Sequence, residues 1–141
     1  MQLVWRPLAP REFDHELVWL CVSLGGLVAA ATWLKLGLPW PVCTFHALTG
    51  HPCLTCGATR SAIAFFHADF RGALKWNPLV FGVYVAITIF DVYAFAVLVL
   101  RAPRLRVVGV APSEKNFARW LVIAVGAVNW GYLLLNSRRF G

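Results

Sequence analysis

Charge is scarce in this chain, and negative charge most of all. Only 13% of the residues are charged, with 6 aspartates and glutamates against 13 lysines and arginines. A typical soluble domain is about 25% charged and about 45–50% apolar, whereas this chain is 60% apolar. A soluble fold of 141 residues buries only part of its surface and could not hide so much apolar material. The composition therefore excludes an ordinary soluble protein and indicates a lipid bilayer as the solvent.

Several enzyme and nucleic-acid motifs are also missing. The sequence has no glycine-rich phosphate loop of the Walker or Rossmann type and no paired carboxylates in a plausible site. Nothing therefore indicates a nucleotide enzyme, a kinase or a hydrolase. No basic stripe with interleaved aromatic residues lies outside the apolar segments, so nucleic acid is not an expected partner. The net charge of +7 instead indicates contact with anionic lipid head groups.

Three apolar runs approach the length of about 20 residues that a membrane-spanning helix needs. We expect spans at about 17–38, 79–100 and 118–135, with tryptophans near their ends as an interfacial belt. Acidic residues precede the first run, where a cleaved signal peptide would carry positive charge, so we expect that run to remain as a span. The prediction is an all-α membrane protein whose residues 1–141 form one integral membrane domain.

The ends of the runs carry recognisable signals. Asn77 followed by Pro78 is typical of an N-cap and a first helical position, and Ser113 is expected to cap the third span. Basic residues are nearly balanced between the two sides of the membrane. The cluster that follows Leu100 favours an N-terminus inside and a cysteine loop outside.

Asp91 is the most costly residue in the predicted spans. A charged carboxylate near the middle of a span costs several kcal/mol on insertion scales, so it needs a polar partner, a proton or a water-filled cavity. Asp91 and Asn129 lie equally far from the ends of their apolar runs, Leu100 and Trp120. We therefore expect a hydrogen bond between them. A proton or ion path is disfavoured because the spans hold no second carboxylate or histidine.

Three of the 4 cysteines lie in the loop after the first span. Prolines and glycines predict irregular structure up to Cys53. The pattern over residues 57–70 then predicts one short amphipathic helix, too short to span, which lies at the interface or is re-entrant. Cys53 and Cys56 would precede the N-terminus of this helix, where free N–H groups and the helix dipole stabilise a thiolate.

The cysteines leave three interpretations open. Cys53 and Cys56 are a candidate redox pair. Alternatively, Cys43, Cys53 and Cys56 together with His46 supply the three sulfurs and one nitrogen of a zinc site, with His51 as a competing nitrogen. The third interpretation is that the motif is structural and the protein is a non-catalytic membrane subunit or scaffold. Arg60 either snorkels or holds an anion or a thiolate near the helix start.

The run from Cys43 to Arg60, followed by Asn-Pro and a second span, resembles domain-of-unknown-function family 2752, small bacterial membrane proteins without an established activity. The resemblance implies a multi-pass protein of the bacterial inner membrane and supplies no reaction. One departure is Leu54, where the family usually has proline. Besides the three cysteines, the motif positions are Gly50, Pro52, Gly57, Thr59, Arg60, Asn77 and Pro78.

Partners other than the lipid bilayer are expected to dock through small residues on the spans. Such residues let helix backbones approach closely, and they would serve a membrane-protein partner or a homo-oligomer equally well. The residues concerned are Gly25, Gly26, Ala29 and Gly126.

Overall fold

The computed structural model describes residues 2–6, 13–39, 43–109 and 111–139. The described chain is mostly helical. In chain order the elements are β1 (Gln2–Arg6), α1 (His15–Lys35), α2 (Thr44–Thr49), α3 (Ala58–Phe66), α4 (Phe70–Trp76), α5 (Pro78–Leu100), β2 (Arg104–Val108), α6 (Pro112–Leu135) and a 3₁₀ turn, Ser137–Arg139. The predicted all-α class is confirmed, with two short strands added to it.

Within the described ranges, three helices are long and apolar enough to cross a membrane. The segments are His15–Trp33 in α1, Pro78–Leu100 in α5 and Pro112–Leu135 in α6. Many large apolar side chains on these helices are exposed. Such exposure would be costly in water but suits helices whose solvent is hydrocarbon. The predicted multi-pass membrane protein is therefore confirmed.

The third span begins earlier than predicted. Its first helical residue is Pro112 rather than a residue near 118. Proline fits the first helical position because its missing N–H would have no partner there. The carboxylate of Glu114 reaches back and accepts a hydrogen bond from the Ala111 N–H at 2.9 Å. Ser113 therefore lies inside the helix, and its predicted role as the cap is wrong.

The chain divides into two compact units. Unit 1 comprises Met1–Trp40 and Ile87–Lys115, and unit 2 comprises Pro41–Ala86 and Asn116–Gly141. Both α5 and α6 therefore contribute residues to each unit.

In unit 1 the segment before α1 and the segment after α5 form an antiparallel pair of strands, with Gln2 opposite Val108. Beside this pair, Arg106 binds both carboxylate oxygens of Glu16, at 2.8 and 3.2 Å. Arg104 lies 2.6 Å from a carboxylate oxygen of Asp14. Glu16 is only 3% exposed, and a carboxylate buried to that extent needs a fully matched cationic partner. The bidentate arginine provides it.

Asp91 is paired across unit 1. Its carboxylate accepts a hydrogen bond from the Ser23 hydroxyl of α1 at 2.7 Å. Asn129 has other partners: its side-chain oxygen accepts from the Leu79 N–H at 3.0 Å. The predicted Asp91–Asn129 hydrogen bond is wrong, because Asp91 is paired with Ser23 and the Asn129 side-chain oxygen is paired with the first turn of α5.

In unit 2 the loop after α1 folds into three short helices. The segment predicted to be irregular contains α2, and the single helix predicted over residues 57–70 is divided into α3 and α4. The break lies at Ala68, whose φ of 59° is left-handed. Asp69 then caps α4 by accepting from the Gly72 N–H at 2.9 Å. The buried Ser61 hydroxyl ties the two helices together by donating to the Ala73 carbonyl at 2.9 Å.

The Ser23–Asp91 hydrogen bond generates a first prediction. We expect the Ser23→Ala and Asp91→Ala substitutions to be coupled by about 0.5–1.5 kcal/mol, the range found for hydrogen bonds between spanning helices. The measurement is a double-mutant cycle on the free energy of unfolding in detergent. Thr32→Ala is the matched control, because the Thr32 hydroxyl bonds only within α1, to the Val28 carbonyl. If the stability losses of Ser23→Ala and Asp91→Ala simply add, as those of Thr32→Ala and Asp91→Ala should, the pairing is contradicted.

Candidate functional site

The cysteine segment is shaped by two left-handed glycines. Cys43 is the extended residue that precedes α2, and α2 ends at Gly50 with φ 70°. Cys53 and Cys56 lie in the following turn, and α3 begins after Gly57 with φ 79°. A side chain in that conformation costs roughly 1 kcal/mol or more, and glycine avoids the cost. These two glycines turn the chain so that Cys43 and the Cys53–Cys56 turn face each other.

The three thiols of the loop form a close triangle. The Cys43 sulfur lies 3.3 Å from that of Cys53 and 3.8 Å from that of Cys56, and the Cys53 and Cys56 sulfurs are 3.4 Å apart. All three are free thiols. Cys56 is buried, while the other two are half-buried. The three sulfurs are therefore close enough to share one metal ion.

The turn between Cys53 and Cys56 is closed by its own backbone. The Cys53 N–H donates to the Cys56 sulfur at 3.1 Å, and the Cys56 N–H donates to the Cys53 carbonyl at 3.1 Å. A backbone N–H directed at sulfur favours the thiolate form over the thiol. The predicted place of both cysteines, just before a helix N-terminus, is confirmed, since Gly57 is the N-cap of α3.

Two thiols of the cluster, those of Cys53 and Cys56, have pKa values shifted in opposite directions. Burial by itself raises the pKa of Cys53. Hydrogen bonds with Thr55, Cys43 and Cys56 more than offset that effect and lower the pKa from 9.0 to about 7. Burial raises the pKa of Cys56 to about 12, and its contact with the Cys53 sulfur acts in the same direction. Near neutral pH the Cys53 thiol of the metal-free cluster therefore ionises far more readily than the Cys56 thiol.

Asn77 links the turn to a spanning helix. Its side-chain oxygen accepts from the Val80 N–H at 3.1 Å and so caps α5, as predicted. Its side-chain nitrogen donates to the carbonyls of Leu54, at 3.1 Å, and Cys56, at 3.0 Å. Asn77 is fully buried. One amide thus begins α5 and fixes two carbonyls of the cysteine turn.

The third span also reaches the turn. The side-chain nitrogen of Asn129 donates to the Leu54 carbonyl at 3.3 Å. The indole N–H of Trp130 donates to the Pro52 carbonyl at 3.0 Å. Pro52 and Asn129 are both buried. The cysteine turn is therefore held from two sides, by the start of α5 and by α6.

A pocket of about 490 Å³ lies beside Cys53. One wall is the face of α6 from Val122 to Trp130, with small residues at Gly126 and Ala127. Phe45 and Leu54 also line the pocket. Leu54, between the two cysteines of the turn, therefore contributes to the wall. Apart from the Cys53 sulfur, the lining residues are apolar.

The histidines take places outside the triangle. Among the described residues, the group able to hold an ion consists of Cys43, Cys53 and Cys56, without His46. The Nδ1 atom of His46 is buried and has no hydrogen-bond partner. His51, the predicted competing nitrogen, has its Nδ1 2.8 Å from the Thr49 carbonyl within its own loop. The structure thus assembles three sulfurs and leaves the predicted nitrogen ligands elsewhere.

Arg60 lies on the exposed side of α3. Its guanidinium stacks over the Trp76 ring at 4.7 Å, a cation–π contact between α3 and α4. Thr59 lies in the first turn of α3, as expected. Both motif residues therefore belong to the helices that frame the cysteine turn.

Sequence reasoning missed several residues that build the site. Asn129 was singled out, but for the wrong partner, and Trp130 and Ser61 were not singled out at all. A tryptophan in a spanning segment ordinarily indicates an interfacial belt. The available signal was Asn129 next to Trp130, two side chains with N–H donors on one turn of an apolar helix.

The acidity of Cys53 predicts a pH profile for alkylation of the metal-free protein. Because only the thiolate reacts, the Cys53 rate should reach half its maximum near pH 7 and level off about one unit above it. Cys56 should remain largely unreactive to pH 9 because its pKa is raised. Mass-spectrometric mapping of iodoacetamide adducts between pH 5 and 9 measures both. A half-maximum for Cys53 near pH 9 would contradict the assignment.

The position of Asn77 predicts a large stability loss on truncation. Asn77→Ala removes an N-cap and two buried hydrogen bonds, so the free energy of unfolding should fall by about 2–4 kcal/mol. Asn136→Ala is the control, because its side-chain nitrogen donates to one carbonyl of the adjacent last turn of α6, that of Tyr132. We expect the control to lose less than about 1 kcal/mol. Equal losses in the two variants would show that the turn contacts of Asn77 contribute nothing.

Comparison with known proteins identifies the segment that contains this site. No curated protein and no solved structure matches the chain. Residues 43–90 match the family model described as "Protein of unknown function (DUF2752)". The matched segment begins at Cys43 and includes the whole sulfur triangle, Asn77, Pro78 and the first half of α5. The predicted resemblance is therefore confirmed over this segment: residues 43–90 are similar to the DUF2752 family.

Proposed function

We propose that this membrane protein binds one soft metal ion through the thiolates of Cys43, Cys53 and Cys56, and that the ion is zinc. The observation that carries the proposal is the sulfur triangle with sides of 3.3, 3.4 and 3.8 Å. Zinc–sulfur bonds of about 2.3 Å in a tetrahedron place the sulfurs about 3.8 Å apart. The thiols therefore need to move by only a few tenths of an ångström to coordinate one ion.

The types of donor atom support a soft ion. Thiolate ligands select zinc or copper(I), whereas magnesium and calcium require oxygen ligands. Three protein ligands leave a fourth position on a tetrahedral ion, as in zinc sites that bind a further ligand. Of the three proposed ligands, Cys53 lines the apolar pocket, through which a further ligand would reach the ion.

Thiol–disulfide exchange is the second candidate. Cys53 lies at similar distances from two possible partners, 3.3 Å from Cys43 and 3.4 Å from Cys56, and its pKa is lowered to about 7. Its thiolate could attack a partner disulfide and then be released by either neighbour. The mutual proximity of all three sulfurs favours the metal, because a disulfide uses only two of them.

The proposed setting is the bacterial inner membrane, with the lipid bilayer as the surrounding partner. Further partners would dock on the spans, either a membrane protein or a second copy of this chain. Gly25, Gly26 and Gly126 have open space where a side chain would be, which leaves room for a closely packed helix.

Metal analysis of the purified protein tests the proposal. Wild-type protein in detergent should contain one equivalent of zinc and show three thiols protected from alkylation. Cys43→Ser, Cys53→Ser and Cys56→Ser should each lower zinc affinity at least about tenfold, because each removes one of three anionic ligands. Cys21→Ser is the matched control, since Cys21 is an exposed thiol of α1, and it should retain full occupancy.

The same measurements separate the alternatives. If the protein is metal-free and has one reducible disulfide among the three cysteines, the metal-site proposal is wrong and thiol–disulfide exchange is the function of the cluster. Metal-free protein with three thiols that stay reduced under oxidant would leave a structural motif in a scaffold protein. Zinc retained in all three loop variants would contradict the proposed ligands.

A further inference from the structure

The third span holds the cysteine turn although it lies outside the segment shared with the family. The family match ends at residue 90, and α6 begins at Pro112. Two neighbouring side chains of α6 nevertheless donate to carbonyls of the turn, Asn129 to Leu54 and Trp130 to Pro52. This part of the site has no assigned role.

These two contacts complete the hydrogen bonding of the turn. The Cys53 carbonyl accepts from the Cys56 N–H within the turn, and the Thr55 carbonyl accepts from the Ala58 N–H at the start of α3. The carbonyls of Leu54 and Cys56 accept from Asn77. The Pro52 carbonyl accepts from Trp130 of α6, and the Leu54 carbonyl accepts a second bond from Asn129 of the same helix.

The position of these carbonyls decides where the sulfurs lie. Pro52 directly precedes Cys53, and Leu54 lies between the two cysteines of the turn. The Pro52 carbonyl lies in the peptide plane that ends at the Cys53 Cα, and the Leu54 carbonyl lies in the plane that joins Leu54 to Thr55, between the two cysteines. A change in the backbone dihedral angles beside either plane would shift the cysteine sulfurs relative to one another. Because both hydrogen bonds are partly buried, releasing either carbonyl would cost free energy. The α6 side chains therefore resist the rotations that would open the triangle.

We infer that Asn129 and Trp130 are positioning residues for the sulfur cluster, and that docking of α6 on the turn and metal binding in the turn are one coupled equilibrium. The metal half of this inference rests on the proposed function. Coupling of this kind is reciprocal: if α6 strengthens metal binding, metal binding strengthens the docking of α6 by the same free energy. The third span is then the element that responds to metal occupancy.

Two conservative substitutions separate the turn contacts from the rest of α6. Trp130→Phe keeps an aromatic ring in the pocket wall and removes the N–H that reaches Pro52. Asn129→Asp keeps an oxygen for the Leu79 N–H and removes the donor to Leu54. Tyr132→Phe is the matched control, because it deletes one hydrogen bond from α6 to the Lys75 carbonyl, at 3.0 Å, on α4 rather than the turn.

Zinc affinity, measured by competition with a chromophoric chelator, is the first readout. Trp130→Phe and Asn129→Asp should each weaken zinc binding roughly threefold to tenfold, the equivalent of one buried hydrogen bond. Tyr132→Phe should change it by less than about twofold. As the reciprocal readout, zinc should slow hydrogen exchange of the α6 amides near Trp130 in the wild type, and less so in Trp130→Phe.

A second readout needs no metal. In the metal-free protein, Trp130→Phe and Asn129→Asp should increase the alkylation rate of the buried Cys56 by a similar factor, and Tyr132→Phe should not. A wild type that binds no zinc would overturn the proposed function, while the alkylation rates would still decide the positioning role. Equal effects of all three variants on Cys56, or no effect of the two turn variants, would overturn the inference. If Asn129→Asp fails to fold, Trp130→Phe and its control decide the outcome.

Discussion

The hydrogen bonding of five consecutive carbonyls, from Pro52 to Cys56, is the constraint on which the rest of unit 2 depends. An unpaired buried carbonyl costs about 1–3 kcal/mol. The Cys53 and Thr55 carbonyls accept from backbone N–H groups, and the other three accept from the side chains of Asn77, Asn129 and Trp130. Because every carbonyl has a partner, opening the turn would release at least one of them, and the closed turn brings three sulfurs together.

Polar groups of unit 1 also have hydrogen-bond partners, but these partners are arginine side chains and a hydroxyl rather than side-chain amides. Where α1 begins, Glu16 is buried against a bidentate Arg106. Further along α1, the Ser23 hydroxyl donates a hydrogen bond to the carboxylate of Asp91 on α5. A carboxylate near the middle of a span needs such a partner, because leaving it unpaired costs several kcal/mol. The Ser23–Asp91 hydrogen bond therefore holds α1 against α5. Polar contacts thus select which helix faces meet, because apolar faces in lipid have no hydrophobic reason to associate.

The spans could be predicted because length and composition alone determine them. The class, the three spans and the N-cap at Asn77 depend on residues close together in sequence. The partner of Asp91 could not be predicted in this way, because Ser23 lies on another helix 68 residues away in sequence. The start of α6 was also misjudged, since Pro112 places it six residues (118 − 112) earlier. The division of residues 57–70 into α3 and α4 depends on a left-handed Ala68, a conformation that alanine does not signal. The roles of Asn129 and Trp130 are contacts over more than seventy residues and have no local signature.

Asn77 explains why the family segment extends beyond the cysteines into a spanning helix. The turn needs an amide donor at a defined position, and a capping residue at the start of α5 has its position fixed by that helix. The same side chain that satisfies the Val80 N–H therefore reaches the Leu54 and Cys56 carbonyls without a further support. Pro78 contributes by fixing the first helical residue, so that the cap stays at Asn77. The Asn-Pro pair is thus part of the cysteine site, and a segment from Cys43 to Phe90 contains the sulfurs together with the helix that holds them in register.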